Sequence, residues 1–347
     1  MPSGSDPDVR TLLLDHADVA AHLPMRVCIA AMKEAFLALE RGDVTLPLRS
    51  VSALPREAGW LGVMPVSLAD PPLAAVKAIT VVPANSATAL DSHQGAVLLF
   101  DAMNGRLLAI LDASAITAIR TAAVSGLATD HLARPDAGDL AILGTGIQAA
   151  THLEAVAAVR PLRRVRVWGR NPAHAAAFVA RERARLASLA SASSRIETAP
   201  SARDAVEGAD LVVTATAATE PVLRGEWLAP GAHVNAVGAC RKNFREVDGE
   251  VVRRARVVVD RRESAMAEAG DILLAIAEGA VGPDPIAAEL GQVIAGSATG
   301  RRDDAEITLF KSVGLAIQDL CAARAAYLRA LAAGAGVSFE LGGRRDA

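Results

Sequence analysis

The chain has 347 residues, of which 52% are hydrophobic and only 3% aromatic, and its 36 basic and 39 acidic residues give a formal net charge of −3. This length predicts two domains, and the apolar content excludes an intrinsically disordered chain. Because the charge is so close to balance, there is no bulk electrostatic reason for binding to nucleic acid or to a membrane surface, and neither is expected as a partner.

The cysteines and the N-terminus are typical of a cytoplasmic protein. Cys28, Cys240 and Cys321 lie far apart and form no metal-ligand spacing, which predicts neither a structural disulfide nor a zinc site. No HExxH, DxD or EF-hand pattern is present, so no metal cofactor is expected. The first ten residues are polar and lack the apolar core of a signal peptide, and no apolar run is long enough for a transmembrane helix.

The first third of the chain predicts a mostly antiparallel sheet with one N-terminal helix. Apolar residues recur at helical spacing over 23–41, and Gly42 ends the pattern. Short β-like runs follow at 60–64, 74–82, 96–101 and 107–111. Asn104 and Gly105, between the last two runs, predict a hairpin turn because both residues accept a positive φ. A helix over 115–133 is expected next.

Residues 139–170 have the pattern strand, glycine turn, helix and strand, which is the first half of a dinucleotide-binding unit. Gly144 permits the sharp turn, and Gly146 lets the backbone approach a pyrophosphate that the following helix N-terminus stabilises. Glycine turns also occur at purely structural corners, but the flanking elements here favour cofactor binding.

Strands and helices alternate from residue 139 to about residue 260, which predicts a Rossmann-type doubly wound parallel sheet. The predicted strands lie at 140–143, 165–168, 195–199, 210–214, 232–237 and 256–260. Helical segments are expected at 265–279 and 284–294, with a closing helix at about 312–333. Because that helix lies beyond the Rossmann unit, we expect it to pack on the first region.

The predicted fold is therefore α/β, with one domain inserted in another. The dinucleotide-binding domain is expected at 121–310, and residues 1–120 and 311–347 are expected to form a discontinuous α+β domain.

The end of the second dinucleotide-binding strand bears on which nucleotide is bound. In NAD enzymes this strand normally ends in Asp or Glu, which binds the ribose 2′-hydroxyl. Here Trp168 is followed by Gly169, Arg170 and Asn171, and a guanidinium group matches a 2′-phosphate in charge and geometry. The pattern favours NADP(H) over NAD(H), although an Arg170 that stacks on adenine or faces water is the alternative.

Three cations precede the glycine turn in mostly apolar or turn contexts. Lys77 lies in a strand-like run, Arg120 in an apolar helix and Arg49 in the segment LPLRSV. Each residue alone is more often a surface residue with a partly buried stem, since long charged side chains are seldom buried without a partner. Together, they suggest a site for a substrate carboxylate.

Dispersed motifs cover almost the whole chain. They include GWLGVMP (59–65), SHQGAVLLFDAMNG (92–105), ITAIRTAAVSGLAT (116–129), GEWLAPGAHVNAVGA (225–239) and FKSVGLAIQDL (310–320). In these motifs the chain resembles the ornithine cyclodeaminase/mu-crystallin family. The resemblance implies a discontinuous substrate and dimerisation domain around an inserted dinucleotide domain, and a homodimer joined through the substrate-domain sheets.

The resemblance also implies roles for individual residues. Arg49, Lys77 and Arg120 match residues that hold a substrate α-carboxylate, and Glu268 matches a substrate-side carboxylate near the nicotinamide. Of these, Lys77, Arg120 and Glu268 are the candidate catalytic residues. The positions that match cofactor contacts are Ser92, His93, Arg120, Thr121, Gly144, Thr145, Gly146, Ile147, Gln148, Gly169, Arg170, Asn171, Thr216, Ala217, Val237 and Ser312.

Two departures from the family pattern bear on the reaction. Ornithine cyclodeaminases carry a glutamate just before the Met-Pro pair, where this chain has Gly62 and Val63, and an acid/base aspartate where it has Cys240. Both losses argue against ornithine as substrate, and the motifs resemble the ketimine reductase branch instead. The resemblance thus implies NAD(P)H-dependent hydride transfer to the C=N bond of cyclic ketimines such as pyrroline-2-carboxylate or piperideine-2-carboxylate.

Other functions stay open at this point. They are an alanine-type amino-acid dehydrogenase, a cyclodeaminase that recycles bound NAD, and a nucleotide-dependent small-molecule binding protein. The proton donor is also open between Lys77, Glu268 and a bound water. The substrate side chain is not identified, because the loops that form pocket walls cannot be placed from one sequence.

Overall fold

The computed structural model describes residues 10–188 and 195–342. The chain divides into two compact units: a discontinuous unit, Met1–Arg120 and Leu315–Ala347, and an inserted unit, Thr121–Gly314. The chain leaves the discontinuous unit after Arg120 and returns to it after Gly314, which is slightly later than the predicted boundary at residue 310.

The helices and strands are numbered in chain order. The strands are β1 Arg10–Leu14, β2 Val44–Thr45, β3 Ser50–Ala53, β4 Trp60–Leu68, β5 Leu73–Val81, β6 His93–Asp101, β7 Leu107–Asp112, β8 Asp139–Leu143, β9 Arg164–Trp168, β10 Arg195–Thr198, β11 Leu211–Thr214, β12 His233–Ala236, β13 Ala255–Val259, β14 Ile286–Glu289, β15 Ile307–Lys311 and β16 Val337–Glu340. The helices are α1 His16–His22, α2 Met25–Arg41, α3 Ala113–Leu132, α4 Ile147–Val159, α5 Pro172–Ser188, α6 Ala202–Val206, α7 Gly249–Arg254, α8 Arg262–Glu268, α9 Gly270–Ala277, α10 Leu290–Ala295 and α11 Ala316–Ala333.

The discontinuous unit is built on a mostly antiparallel sheet, as predicted. Its strands are ordered β16-β1-β7-β6-β5-β4-β2, with β3 paired to β4, and only β1 and β7 run parallel. Helix α11 packs on β4, β5 and β6 and against α2. The register places Met64, Lys77 and Val97 in one cross-strand row, and all three are buried. Lys77 therefore lies on the sheet face that forms the core.

Local sequence signals explain the ends of two elements in this unit. Helix α2 buries Cys28, Met32 and Phe36 at helical spacing and ends at Gly42, whose φ of 80° is unfavourable for residues with a Cβ. The hairpin between β6 and β7 turns at Gly105, where φ is 76°. Both glycines act as the sequence predicts.

The inserted unit contains the predicted doubly wound parallel sheet. Its strand order is β10-β9-β8-β11-β12-β15-β13-β14, and every neighbouring pair is parallel. In β8 the residues from Leu140 to Leu143 are completely buried, as is typical of a parallel strand covered on both faces. Each of the six predicted strands is present, and each predicted bound lies within one residue of the observed bound.

Some predicted elements of the inserted unit were wrong. The segment 284–294 is a short strand, β14, followed by α10, whose start is capped by the side chains of Glu289 and Gln292. Strand β15 was not predicted; all five of its residues are buried, including the polar Thr308 and Lys311. The predicted helix at 265–279 is two helices that meet at Ala269, where ψ is 91°.

The closing helix begins at Ala316 rather than at about residue 312. Asp260, just after β13, accepts hydrogen bonds from the backbone N–H groups of Val313 and Gly314 at 2.9 and 2.7 Å. These bonds hold the segment before α11 in a non-helical conformation.

In the part of the chain that the structure describes, no helix is both long and apolar enough to cross a membrane. Within the same ranges, no three or more His, Cys, Asp or Glu side chains come together as potential ligands of a metal ion. The three cysteines are free, with Cys28 and Cys321 buried and Cys240 exposed.

Candidate active site

Two buried cations of the discontinuous unit share one carboxylate. Lys77 on β5 and Arg120 on α3 are 2% and 5% exposed, and Asp319 on α11 is 1% exposed. The Lys77 Nζ lies 2.8 Å from Asp319 Oδ2 and donates to Oδ1 at 2.9 Å, while Arg120 Nε donates to the same Oδ1 at 2.9 Å. The structure thus brings together two of the predicted site residues around an acid that the sequence did not single out.

Neutral side chains complete the contacts of these cations. The Lys77 Nζ also donates to Thr117 Oγ1 at 3.4 Å, and Arg120 Nη1 donates to Gln318 Oε1 at 3.0 Å. Asp319 lies in the first turn of α11, where the helix dipole favours a negative charge. Together, these contacts fix Lys77 and Arg120 without supplying a second negative charge.

Burial and charge shift the pKa values of this cluster. The pKa of Lys77 is lowered from 10.5 to about 8: burial lowers it most, Arg120 and Arg49 also lower it, and Asp319 opposes them. Burial alone would raise the pKa of Asp319, but Arg120 and Lys77 outweigh burial and leave it below its usual value. Asp319 is therefore ionised, and Lys77 can lose its proton near neutral pH.

Arg49 and His93 lie close enough to the cluster to interact with it electrostatically. Arg49 lies between β2 and β3 and is half-buried. His93 begins β6, and burial lowers its pKa; Lys77 and Arg120 also lower it, although Asp91 opposes them. The ring Nδ1 of His93 lies 3.0 Å from the hydroxyl of its neighbour Ser92. Arg49 therefore adds positive charge around Lys77, whereas the lowered pKa keeps the His93 ring neutral near pH 7.

The glycine turn of the inserted unit has the form that a bound pyrophosphate needs. Gly144 has a φ of 135°, and a Cβ there would lie 2.4 Å from the carbonyl oxygen of Ala215, so only glycine fits between β8 and the segment after β11. Gly146 is the N-cap of the 13-residue helix α4, and no atom lies within 4 Å of the place where its Cβ would be. That space and the free N–H groups of the helix end suit a phosphate group.

The residues around this turn are also arranged in a way that suits nucleotide binding. Gly169, at the end of β9, packs against Thr145, because a Cβ on Gly169 would lie 2.7 Å from the Thr145 methyl group. Arg170 is exposed beyond it, and Asn171 Oδ1 caps α5 by accepting from the Ala173 N–H at 2.9 Å. An exposed guanidinium thus follows the second strand of the parallel sheet in place of an acid.

The other predicted nucleotide contacts of the inserted unit lie on several elements. Ile147, at the start of α4, is 49% exposed, and the Gln148 carbonyl oxygen lies 2.6 Å from the His152 ring. Ser312 follows β15, and its hydroxyl donates to Asp260 at 3.3 Å. The remaining four residues are Thr121 on α3, Thr216 and Ala217 after β11, and Val237 after β12.

Glu268, the third candidate catalytic residue, lies at the end of α8 in the inserted unit. The cluster of the discontinuous unit does not include it, and its predicted role on the substrate stays a prediction. The structure instead reveals Asp319 and a second buried acid, Glu246, which accepts hydrogen bonds from Thr216 at 2.6 and 2.7 Å. The available sequence signal for Asp319 was an acid in the apolar run AIQDLCAA.

Residues 9–334 match the ornithine cyclodeaminase/mu-crystallin family. The chain belongs to this family. It is 42% identical over 286 residues to mouse ketimine reductase mu-crystallin, a match that covers 82% of this chain and 85% of the mouse protein.

Two solved structures of relatives have the same fold. The Delta(1)-pyrroline-2-carboxylate reductase of Thermococcus litoralis, in complex with NADH and L-proline, matches with a TM-score of 0.90 and 39% identity, over 94% of this chain and 99% of that one. An archaeal alanine dehydrogenase dimer with bound NAD matches with a TM-score of 0.87 and 32% identity, over 96% and 99% of the two chains. These findings confirm the family and the fold expected from the sequence.

Proposed function

We propose that this family member is an NAD(P)H-dependent reductase of cyclic α-imino acids such as pyrroline-2-carboxylate or piperideine-2-carboxylate. The observation that carries the proposal is the buried cluster in which Lys77 and Arg120 share the single carboxylate of Asp319. The relatives named ketimine reductase and pyrroline-2-carboxylate reductase support the choice of reaction.

The charge of the cluster selects a carboxylate-bearing substrate. Lys77 and Arg120 supply two positive charges and Asp319 supplies one negative charge, so the cluster retains one positive charge when Lys77 is protonated. Burying an uncompensated charge is costly, and a substrate α-carboxylate would neutralise it. A guanidinium fork also orients a carboxylate through paired hydrogen bonds, and the nearby Arg49 adds attraction.

The protein's own groups prepare the imine for reduction. The nicotinamide would supply the hydride. Reduction is easiest when the imine nitrogen already carries a proton, because the resulting iminium carbon is a better acceptor. Lys77, with a pKa near 8, is suited to exchange that proton near neutral pH. Hydride addition to the C=N carbon then leaves a cyclic secondary amine with an α-carboxylate, and Arg120 holds that carboxylate throughout.

The inserted unit would hold the nucleotide. Gly144 and Gly146 give the pyrophosphate access to the N-terminus of α4, and Arg170 would bind a ribose 2′-phosphate. Because an arginine stands where NAD enzymes normally have an acid, we propose a preference for NADP(H) over NAD(H).

The sheet around Lys77 argues against a diamino acid as substrate. Gly62 pairs with Ile79, and Lys77 pairs with Met64, so Gly62 and Lys77 lie on the same face of the sheet in rows two residues apart. Gly62 and Val63 stand where ornithine cyclodeaminases carry their glutamate. Without that acid, residue 62 cannot form an ion pair with the distal ammonium group of a diamino acid. A cyclic ketimine has no distal ammonium group and does not need such a partner.

We also propose that the protein is a homodimer joined through the opposite face of this sheet. Pro65, Val76, Leu98 and Ile110 form one continuous cross-strand row, and each is at least partly exposed. Such an apolar row on a sheet face is typical of an interface. The archaeal alanine dehydrogenase, which is a dimer, supports this assembly.

Light scattering coupled to size-exclusion chromatography tests the proposed dimer. The protein should have twice the mass of the chain, and Val76→Glu should have the monomer mass.

A substrate panel tests the proposed reaction. Purified protein is mixed with NADPH or NADH and with a cyclic ketimine, with a keto acid plus ammonia, or with ornithine. Oxidation of the nucleotide by the ketimine alone is expected. Oxidation only with a keto acid and ammonia would favour the alanine dehydrogenase alternative, and ammonia release from ornithine without net change in the nucleotide would favour a cyclodeaminase. Nucleotide binding without any turnover would favour a binding protein.

A further inference from the structure

Glu246 is a buried acid whose backbone is fixed by its neighbours. It is completely buried and lies between β12 and α7. Its N–H donates to Asp271 Oδ1 at 2.6 Å, and its carbonyl oxygen accepts from the N–H groups of Val222 and Leu223 at 2.8 and 2.9 Å. The backbone from which the Glu246 side chain extends is therefore held in place by hydrogen bonds.

The carboxylate of Glu246 joins the segments that follow β11 and β12. Its Oε1 accepts from the backbone N–H and the hydroxyl of Thr216 at 2.6 and 2.7 Å. Its Oε2 accepts from the Thr214 hydroxyl at 2.9 Å and from the Gly238 N–H at 2.6 Å. A Cβ on Gly238 would lie 2.6 Å from the carboxyl carbon of Glu246, so the contact is as close as the backbone allows.

The four donors indicate which form of the acid the site accommodates. Burial raises the pKa of Glu246 and the neighbouring Asp271 raises it further, while Lys311 and Thr216 oppose them. Each carboxylate oxygen faces one backbone N–H, from Thr216 or Gly238, which can only donate. An ionised carboxylate satisfies all four donors, whereas a proton on either oxygen would have to compete with an N–H.

We infer that Glu246 is a positioning residue for the nucleotide. It holds together the segment of Thr216 and Ala217 and the segment of Val237, which are predicted nucleotide contacts after β11 and β12. The inference rests on the proposed function, because it takes those residues as the nucleotide site. The geometry that points to it is the placement of one carboxylate between both segments.

Glu246→Gln tests the role with little change in size. Whichever way the amide is oriented, its NH₂ group faces either the Thr216 N–H or the Gly238 N–H, neither of which can accept. One hydrogen bond is therefore lost and one of the two segments is released. We expect the dissociation constant of NADPH, measured by isothermal titration, to rise roughly tenfold or more, since hydrogen bonds to charged groups are among the stronger ones.

Asp210→Asn is the matched control at the opposite end of the same parallel sheet. Asp210 accepts from the N–H groups of Gly138 and Asp139 at 3.0 and 3.1 Å and from Arg134 and Arg163 at 2.7 and 2.6 Å. It joins segments before β8 and β11, away from the glycine turn. The control can lower the stability of the unit, measured by urea unfolding, but NADPH affinity should stay within about twofold.

The steady-state constants give a second readout. With Glu246→Gln, the KM for the nucleotide should rise while the KM for the ketimine at saturating nucleotide stays unchanged. Equal changes in nucleotide affinity for Glu246→Gln and Asp210→Asn would overturn the positioning role and leave the proposed function intact. Wild-type protein that binds neither NADPH nor NADH would overturn both.

Thr214→Val provides the test if Glu246→Gln does not fold. Valine keeps the shape of threonine and removes only the hydroxyl hydrogen bond to Glu246. NADPH affinity should fall by roughly threefold, although Thr214 is not a predicted nucleotide contact. An unchanged affinity in this variant would count against the positioning role.

Discussion

The Nζ of Lys77 lies 2.8 Å from Oδ2 of Asp319, and both side chains are 2% exposed. The two residues are 242 positions apart in the sequence, so the ion pair fixes α11 to β5 within the discontinuous unit. A pair at this depth differs from a surface salt bridge, because removing one partner leaves the other charge buried without compensation.

Asp319→Ala should therefore destabilise the protein strongly. It leaves Lys77 and Arg120 buried side by side without their shared carboxylate, and breaking a buried pair in this way costs about 3–5 kcal/mol. The free energy of unfolding from urea titration measures the effect. Asp43→Ala is the control, because Asp43 pairs with Arg41 at 31% and 57% side-chain exposure and should cost less than about 1 kcal/mol. Equal losses in the two variants would show that the Asp319 pair is not structurally important.

Lys77 should make the reaction sensitive to pH. Its pKa of about 8 means that the ammonium form prevails at lower pH and the neutral amine at higher pH, so attraction for the substrate carboxylate weakens as the pH rises through 8. In Lys77→Arg the guanidinium stays charged over this range. The ratio of wild-type to variant kcat/KM should therefore fall with rising pH. The titration of the substrate imine cancels in this ratio.

The measurement is kcat/KM for the ketimine at saturating nucleotide, from about pH 6.5 to about pH 9.5, which brackets the shifted pKa. A ratio that stays constant across the range would show that the charge of Lys77 does not affect substrate binding or turnover.

Much of the nucleotide-binding unit could be predicted because its signals are local. Each signal can be recognised from residues that are close together in the sequence. These signals are the turn at Gly144 and Gly146, the apolar pattern of each strand and helix, and the missing acid after Trp168. Strand β15 was missed because Thr308 and Lys311 interrupt its apolar residues, whereas the continuous apolar run of β8 marked that strand. The helix predicted at 284–294 failed for a different reason, since a short apolar segment has no period that separates strand from helix.

The residues that pair with the site residues were harder to predict from the sequence. The cations Lys77 and Arg120 stood out because charges in apolar runs are unusual, but nothing local links either one to Asp319, since the pairing is made by tertiary packing. Glu246 lies 30 residues from Thr216, in a segment with no repeating pattern. Residues that would contact a ligand, such as Lys77 and Arg120, could therefore be predicted from the sequence. The residues that hold such groups in place, Asp319 and Glu246, could not.

Arg120→Ala should remove turnover while leaving the nucleotide bound. The loss of a carboxylate-binding guanidinium is expected to lower kcat/KM for the ketimine by roughly 100-fold or more, and NADPH affinity should change by only a few-fold. Arg324→Ala is the control, because Arg324 lies on α11 and makes a 3.6 Å contact with Glu34 near the surface. Equal losses of turnover and nucleotide affinity in Arg120→Ala would refute its assignment to the substrate.

Arg170→Ala should change the choice of nucleotide rather than the reaction. The exposed guanidinium after β9 would bind the 2′-phosphate that only NADPH carries, so its removal should weaken NADPH by roughly tenfold or more and NADH by at most about twofold. Arg195→Ala is a suitable control, since Arg195 begins the neighbouring strand β10 and lies at the opposite end of the parallel sheet. Dissociation constants for both nucleotides, measured at one ionic strength because phosphate binding is sensitive to salt, decide the question. If Arg170→Ala leaves the NADPH-to-NADH ratio unchanged, the preference for the phosphate has no basis in this residue, and the absence of an acid after Trp168 would then only make NADH binding weaker.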